Sequence, residues 1–175
     1  AKYLAYWIRS GGTWRMLAYR IVPAAPGDRG RQHGHPFEPG SVAVVPARVA
    51  EHRISLAAAE QQFSNRAQVV GLGPAFAEFG RDDAVNLGGP GSPAFVRGAG
   101  AIAALVGQGE PATGSSVHWS VDEAVEVASS GDLGVTFGFI RFHAADPGSA
   151  PRNPIPFFTV WARPDPGKPW RYIAE

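Results

Sequence analysis

Apolar and polar positions alternate along residues 3–18, Tyr-Leu-Ala-Tyr-Trp-Ile-Arg-Ser-Gly-Gly-Thr-Trp-Arg-Met-Leu-Ala. That period predicts a strand hairpin turning at Ser10-Gly11-Gly12-Thr13. The pattern becomes helical after residue 54. Leu56, Ala59, Phe63, Ala67 and Val70 fall on one stripe, with Ser55 as the expected N-cap and Gly71 as the stop. Pro74 suits the first turn of a short second helix carrying Phe76 and Phe79. Asp82-Asp83-Ala84-Val85 reads as a short extended segment, broken by Gly88-Gly89-Pro90-Gly91. Small residues over 99–106 predict a third helix. Alternation then returns in a long strand over 117–128, a turn at Ser129-Ser130-Gly131-Asp132, and a strand from Leu133 in which Val135, Phe137 and Phe139 alternate with Thr136, Gly138 and Ile140. Helices first and antiparallel strands last predict an α+β fold, with helices covering one face of a curved sheet.

The closing segment repeats the opening one. Residues 157–174 read Phe-Phe-Thr-Val-Trp-Ala-Arg-Pro-Asp-Pro-Gly-Lys-Pro-Trp-Arg-Tyr-Ile-Ala. Trp161-x-Arg163 matches Trp7-x-Arg9, and Trp170-Arg171 matches Trp14-Arg15, around a longer turn. A hairpin cannot bury its apolar face alone. The second copy follows a stretch that supplies a core, whereas the first follows nothing. Residues 1–21 are therefore expected to be the hairpin remnant of an upstream repeat. Residues 22–53, rich in Pro and Gly, read as a linker, and residues 54–175 as one nearly complete domain.

Bulk properties narrow the partners. The net charge is +1, which points to neither nucleic acid nor an anionic membrane surface. No apolar run approaches a membrane span. The absence of cysteine excludes disulfides, thiolate chemistry and zinc–sulfur sites. His33-Gly34-His35 offers two imidazoles without a carboxylate cluster and reads as a solvated loop, so neither metal nor cofactor is expected.

Several of these pieces together resemble a known family. Ala75-Phe76-Ala77-Glu78-Phe79, Asp82-Asp83-Ala84-Val85 and Val96-Arg97-Gly98 are similar to the first half of the nuclear transport factor 2-like superfamily. The run from Glu126 to Gly138, with Ser130-Gly131-Asp132-Leu133-Gly134 at its turn, Thr159-Val160-Trp161 and Trp170-Arg171 resemble its second half. The bacterial SnoaL-like branch is the nearest, and the resemblance covers about residues 55–174. It implies a cone: a strongly curved antiparallel sheet wrapped on about three helices, open at one end to a pocket. Family members use that pocket for isomerisation, cyclisation, dehydration or binding alone, so the fold does not decide the function. The isomerase members place their base a few residues beyond the Asp-Asp-Ala element. That position falls near Gly88 here, with Asn86 the closest polar residue, and an amide does not abstract a proton at neutral pH. Their acid donor falls at about Thr159, a weaker polariser.

The expected pocket is apolar and aromatic. Its candidate lining is Phe63, Trp119, Phe137 and Trp161, with Asp83, Asn86, His118 and Thr159 as the polar candidates. Strict alternation also sets His118 and Glu126 on one strand face and Glu123 on the other. No charged dyad is expected inside. The residues thus predict a small-molecule-binding or assembly domain without catalysis. The alternative is a cyclase, isomerase or dehydratase acting on a hydrophobic small molecule through His118 or Asp83. A homodimer through the sheet and the N-terminal hairpin is expected, because the hairpin otherwise exposes an aromatic patch.

Overall fold

The computed structural model describes residues 1–23, 45–89, 95–143 and 152–175, apart from the side chains of Pro46, Glu123 and Ala124. His33, His35 and most of the expected linker lie outside the described residues.

Strands β1 (Lys2–Ser10) and β2 (Thr13–Val22) pair as an antiparallel hairpin about Gly11 and Gly12. A 3-10 turn at Pro46–Arg48 leads into helix α1 (Val49–Val70). The helix therefore starts before the position expected at Ser55, and residues 46–53 are helix rather than linker. Ser55 sits inside it and donates to the His52 carbonyl (2.9 Å), a bond within the helix and not a cap. The apolar stripe behaves as its period dictates: Leu56, Phe63 and Ala67 are buried, and Ala59 and Val70 pack partly against them. Gly71 adopts φ +97° and ends the helix, its N–H bonding the Ala67 carbonyl.

Helix α2 (Leu72–Phe79), strand β3 (Gly80–Asn86), the short strand β4 (Val96–Arg97) and helix α3 (Ala99–Val106) follow. Strands β5 (Val117–Val127), β6 (Leu133–Phe142), β7 (Ile155–Ala162) and β8 (Arg171–Ala174) complete a six-stranded sheet of order β4-β3-β8-β7-β6-β5. Among the described residues the fold is α+β with three α-helices and a mostly antiparallel sheet, in which only β3 and β8 run parallel. Helix α1 lies along the free edge of β5. Ser64 Oγ accepts from the Trp119 N–H (3.0 Å), and Gln68 Nε2 donates to the Val117 carbonyl (3.0 Å). Side chains of the helix thus satisfy ladder groups that would otherwise be open.

The sheet has two used faces. On the helix side Phe63 is central, with ring centroids 4.8 Å from Phe76 and 4.9 Å from Trp119, beside buried Trp161 and Tyr172. On the opposite side Val135 and Val160 pack with Tyr6 of the hairpin, flanked by Ile8, Phe137 and Phe158. The N-terminal hairpin therefore docks back-on against its own domain, and it leaves Tyr3, Trp7, Trp14 and Tyr19 exposed.

Candidate functional site

Between α1, the ends of α2 and α3, and the inner face of the sheet lies a cavity of about 200 Å³. Phe63, Leu72, Phe76, Val106, Trp119 and Phe157 form its apolar wall. Its polar groups are Glu60, Asn86, Thr159 and Glu175, with Arg20 reaching in from the N-terminal hairpin.

Glu60 is the least expected of these. Its position four residues after Leu56 and three before Phe63 puts a carboxyl on the apolar stripe of α1, and the residue is fully buried. Three side chains donate to it. Trp119 Nε1 reaches Oε1 at 2.6 Å, while Thr136 Oγ1 and Trp161 Nε1 reach Oε2 at 2.5 and 2.9 Å. Burial pushes its pKa up, and these three donors offset part of that rise. One signal exposes this residue in the sequence: a glutamate at a core position of a helix whose facing strands carry tryptophans.

Glu175 follows β8. Its side chain accepts from Asn86 Nδ2 at 3.2 Å, and its backbone pairs with Val85 and Leu87. Burial first, then the nearby Glu60 charge, push its pKa up to about 8, against a lowering influence from Asn86 and Arg20. A bulge brings it here. Val160 pairs with Ala174 but Trp161 with Tyr172, so β8 carries one extra residue. Ile173 and Ala174 then both pack on the outer side, and Glu175 turns back toward the cavity. The cavity thus holds two carboxyls, where no charged dyad is expected from the sequence. In an apolar site of this kind a carboxyl with a raised pKa serves as hydrogen-bond or proton donor in its acid form and as proton acceptor once ionised.

The sequence candidates divide. Phe63, Asn86, Trp119 and Thr159 line the cavity. Trp161 shares the face but is wholly buried, holding Glu60 from beneath. Phe137 lies on the other face, because alternation sets it with Val135, and it packs against Phe158 and the hairpin cluster. Asp83 is exposed and paired to Arg81, at 2.8 and 2.6 Å. It alternates away from Ala84, the β3 residue that enters the core. His118 alternates away from Trp119 and stacks on His143, 4.7 Å between centroids. Glu126 pairs instead with Arg53 at 2.7 Å, so no His118–Glu126 pair forms. The side chain of Glu123 lies outside the described residues.

A second polar knot sits behind the core. Arg163 is buried, donating to the Gly131 carbonyl at 2.6 Å and to His52 Nδ1 at 3.1 Å, and its guanidinium lies over the Trp170 ring. Burial and the Arg163 charge together lower the His52 pKa, which keeps the imidazole neutral and accepting. This knot fixes the β5–β6 turn to α1. Among the described residues no three His, Asp or Glu side chains converge as metal ligands, and no helix is long and apolar enough to cross a membrane.

Comparison of the chain with protein-family models, with curated proteins and with solved structures finds no match.

Proposed function

We propose that this domain binds a compact, largely apolar small molecule in the cavity beneath α1. The observation that carries the reading is the cavity itself: an aromatic wall around a few polar groups, the composition of small-molecule sites. A cavity of about 150 Å³ accepts benzene. The space here therefore suits a single ring with a short substituent. The order of helices and strands and the inward-facing Trp161 support placing the domain with the SnoaL-like branch of the nuclear transport factor 2-like superfamily, and with it the cone-shaped sheet. The same reading includes a homodimer through the sheet and the N-terminal hairpin.

A second reading is favoured by Glu60 and Glu175. Two carboxyls held above their ordinary range in one apolar site are an acid–base pair suited to isomerising, cyclising or dehydrating a hydrophobic substrate. Ligand-observed NMR against small aromatic fragments tests the first reading. Fragments should bind the native chain and lose binding in Val106→Phe, which fills the cavity. Equal binding to both proteins would place the fragments elsewhere and remove the reading. Once a ligand is identified, Glu175→Gln separates the two: unchanged binding with lost turnover supports catalysis.

A further inference from the structure

We propose that the mouth of the cavity is a carboxylate-recognition site built around Arg20, and that the ligand is a compact hydrophobic carboxylic acid. The proposal rests on the ligand-binding reading above and names its ligand class.

Three elements distant in sequence bring their polar groups to this mouth: Arg20 from β2, Asn86 from the end of β3, and Glu175 just after β8. Arg20 is exposed, whereas Glu60 is fully buried, so the cation marks the entrance and Glu60 the floor. At the floor Glu60 already receives three hydrogen bonds from Trp119, Thr136 and Trp161, and a carboxyl does not attract an anion. Recognition of a negatively charged group falls to the mouth.

The charges there select the ligand. Arg20 carries a fixed positive charge and a planar fork of donors matched to a carboxylate. Burial and the nearby Glu60 push the Glu175 pKa up to about 8, against the lowering pull of Asn86 and Arg20, so its carboxyl repels an incoming anion less than an ordinary glutamate would. Asn86 adds an amide. The groups facing Glu175 are thus Glu60 from α1, Asn86 from β3 and Arg20 from β2, and Arg20 is the cation among them. An ammonium ligand would meet the Arg20 charge. A neutral ligand would leave the guanidinium unused. An aromatic or aliphatic carboxylate fills the apolar wall and pairs with Arg20 at once. The reading also gives the N-terminal hairpin a role, because it completes the entrance.

The test uses three probes of one shape and different charge: benzoate, benzyl alcohol and benzylamine. Each is titrated into the full chain at pH 7 by isothermal calorimetry, with ligand-observed NMR for weak binding. Benzoate should bind best, roughly tenfold tighter than the alcohol, as one charge-assisted hydrogen bond warrants. Benzylamine should bind worst. Arg20→Gln should bring benzoate down to the affinity of the alcohol and leave the alcohol unchanged. Arg20 is exposed, so the variant keeps its fold, and a thermal melt checks this. If the alcohol or the amine binds as tightly as benzoate, or if Arg20→Gln leaves benzoate unaffected, the carboxylate proposal is overturned while the ligand-binding reading stands. If none of the three binds, both fall together.

Discussion

The carboxyl of Glu60 concentrates more of the design than any other side chain. It is an acidic residue at a core position, and it survives there because Trp119, Thr136 and Trp161 all donate to it. Removing the acceptor leaves the Trp119 N–H without a partner, whereas Trp161 keeps Thr136 Oγ1 at 3.1 Å and Thr136 keeps the Thr159 carbonyl at 3.4 Å; an orphaned buried donor costs about 1–3 kcal/mol. Glu60→Ala should therefore destabilise the domain by about 2–3 kcal/mol in urea unfolding, and Glu60→Gln by about 1–2, since it keeps one acceptor oxygen. An alanine variant as stable as the parent would mean that water replaces the carboxylate at no cost. Glu175 makes a pH prediction. Its folded pKa, about 8, lies above the ordinary 4.5, so the folded state binds more protons between those values. That contribution is full below the unfolded pKa and is lost as pH rises through about 8. His52 has the opposite sign: its pKa is lowered, so its contribution is present above 6.5 and lost on acidification. Melts recorded from pH 6.5 upward exclude His52 and leave the two raised carboxyls, Glu175 and Glu60, which substitution of Glu175 separates. The melting temperature should fall by roughly 4–8 °C between pH 6.5 and 9, and Glu175→Gln should flatten the fall. Parallel curves for the two proteins would show that Glu175 does not titrate in this range.

At the scale of elements, the cavity depends on how closely α2 and α3 cross. A Cβ built on Gly73 would lie 2.9 Å from the Ala103 carbonyl oxygen and 3.3 Å from the Gly107 Cα, so the two helices touch backbone to backbone. Gly73→Ala must spread them, at about 1–3 kcal/mol by denaturant unfolding. Because Leu72 and Phe76 stand on α2 and Val106 ends α3, the same change should weaken fragment binding. Stability equal to the parent would mean that the crossing relaxes freely. Period alone made most elements legible: the 3.6 stripe from Leu56 to Val70, and the alternation of β6 that divides Thr136 from Phe137. Breaks in period were not legible. The bulge at Ile173 turns Glu175 inward, and the irregularity between Val121 and Val125 interrupts β5. Neither leaves a mark in composition. The start of α1 is hidden in the sequence for a related reason. Its N-terminus, at Arg48, has no side-chain cap, while Ser55, which looks like one, bonds within the helix. Glu60 escaped notice because glutamate on a helix is ordinarily solvated.

Across the whole molecule, the two hairpins are equivalent in detail. In β1–β2 Tyr6 pairs with Ala18 and Trp7 with Met16, one extra residue lying between. In β7–β8 Val160 pairs with Ala174 and Trp161 with Tyr172, again with one extra residue. The bulge thus recurs beside the same tryptophan. The two pack back to back, Tyr6 against the cluster that holds its counterpart Val160. Their front faces meet different fates. Trp161, Trp170 and Tyr172 lie under α1 and are buried; the matching Trp7, Trp14 and Met16 are 52%, 63% and 47% exposed. Tyr3, Tyr19 and Ile21 extend this open face. Such a surface has the composition of a core layer, and in water it is an association site. The proposed homodimer would set this face against the same face of a second copy of the chain. Each large apolar side chain covered supplies about 1.5–3 kcal/mol of transfer free energy, and several from each copy suffice against an association cost of about 4–15. Such a pairing would use one patch on both copies and so would close at two copies instead of running on into fibres. Light scattering should therefore give a dimer mass for the full chain. Trp14→Arg with Tyr19→Arg should give a monomer whose melting transition is retained, since both side chains are exposed in the single chain. Tyr6→Ala should act differently, loosening the hairpin from its own domain and lowering the melting temperature. Deleting residues 1–23 should also leave a monomer, and a deletion variant that remains dimeric would place the contact on another surface.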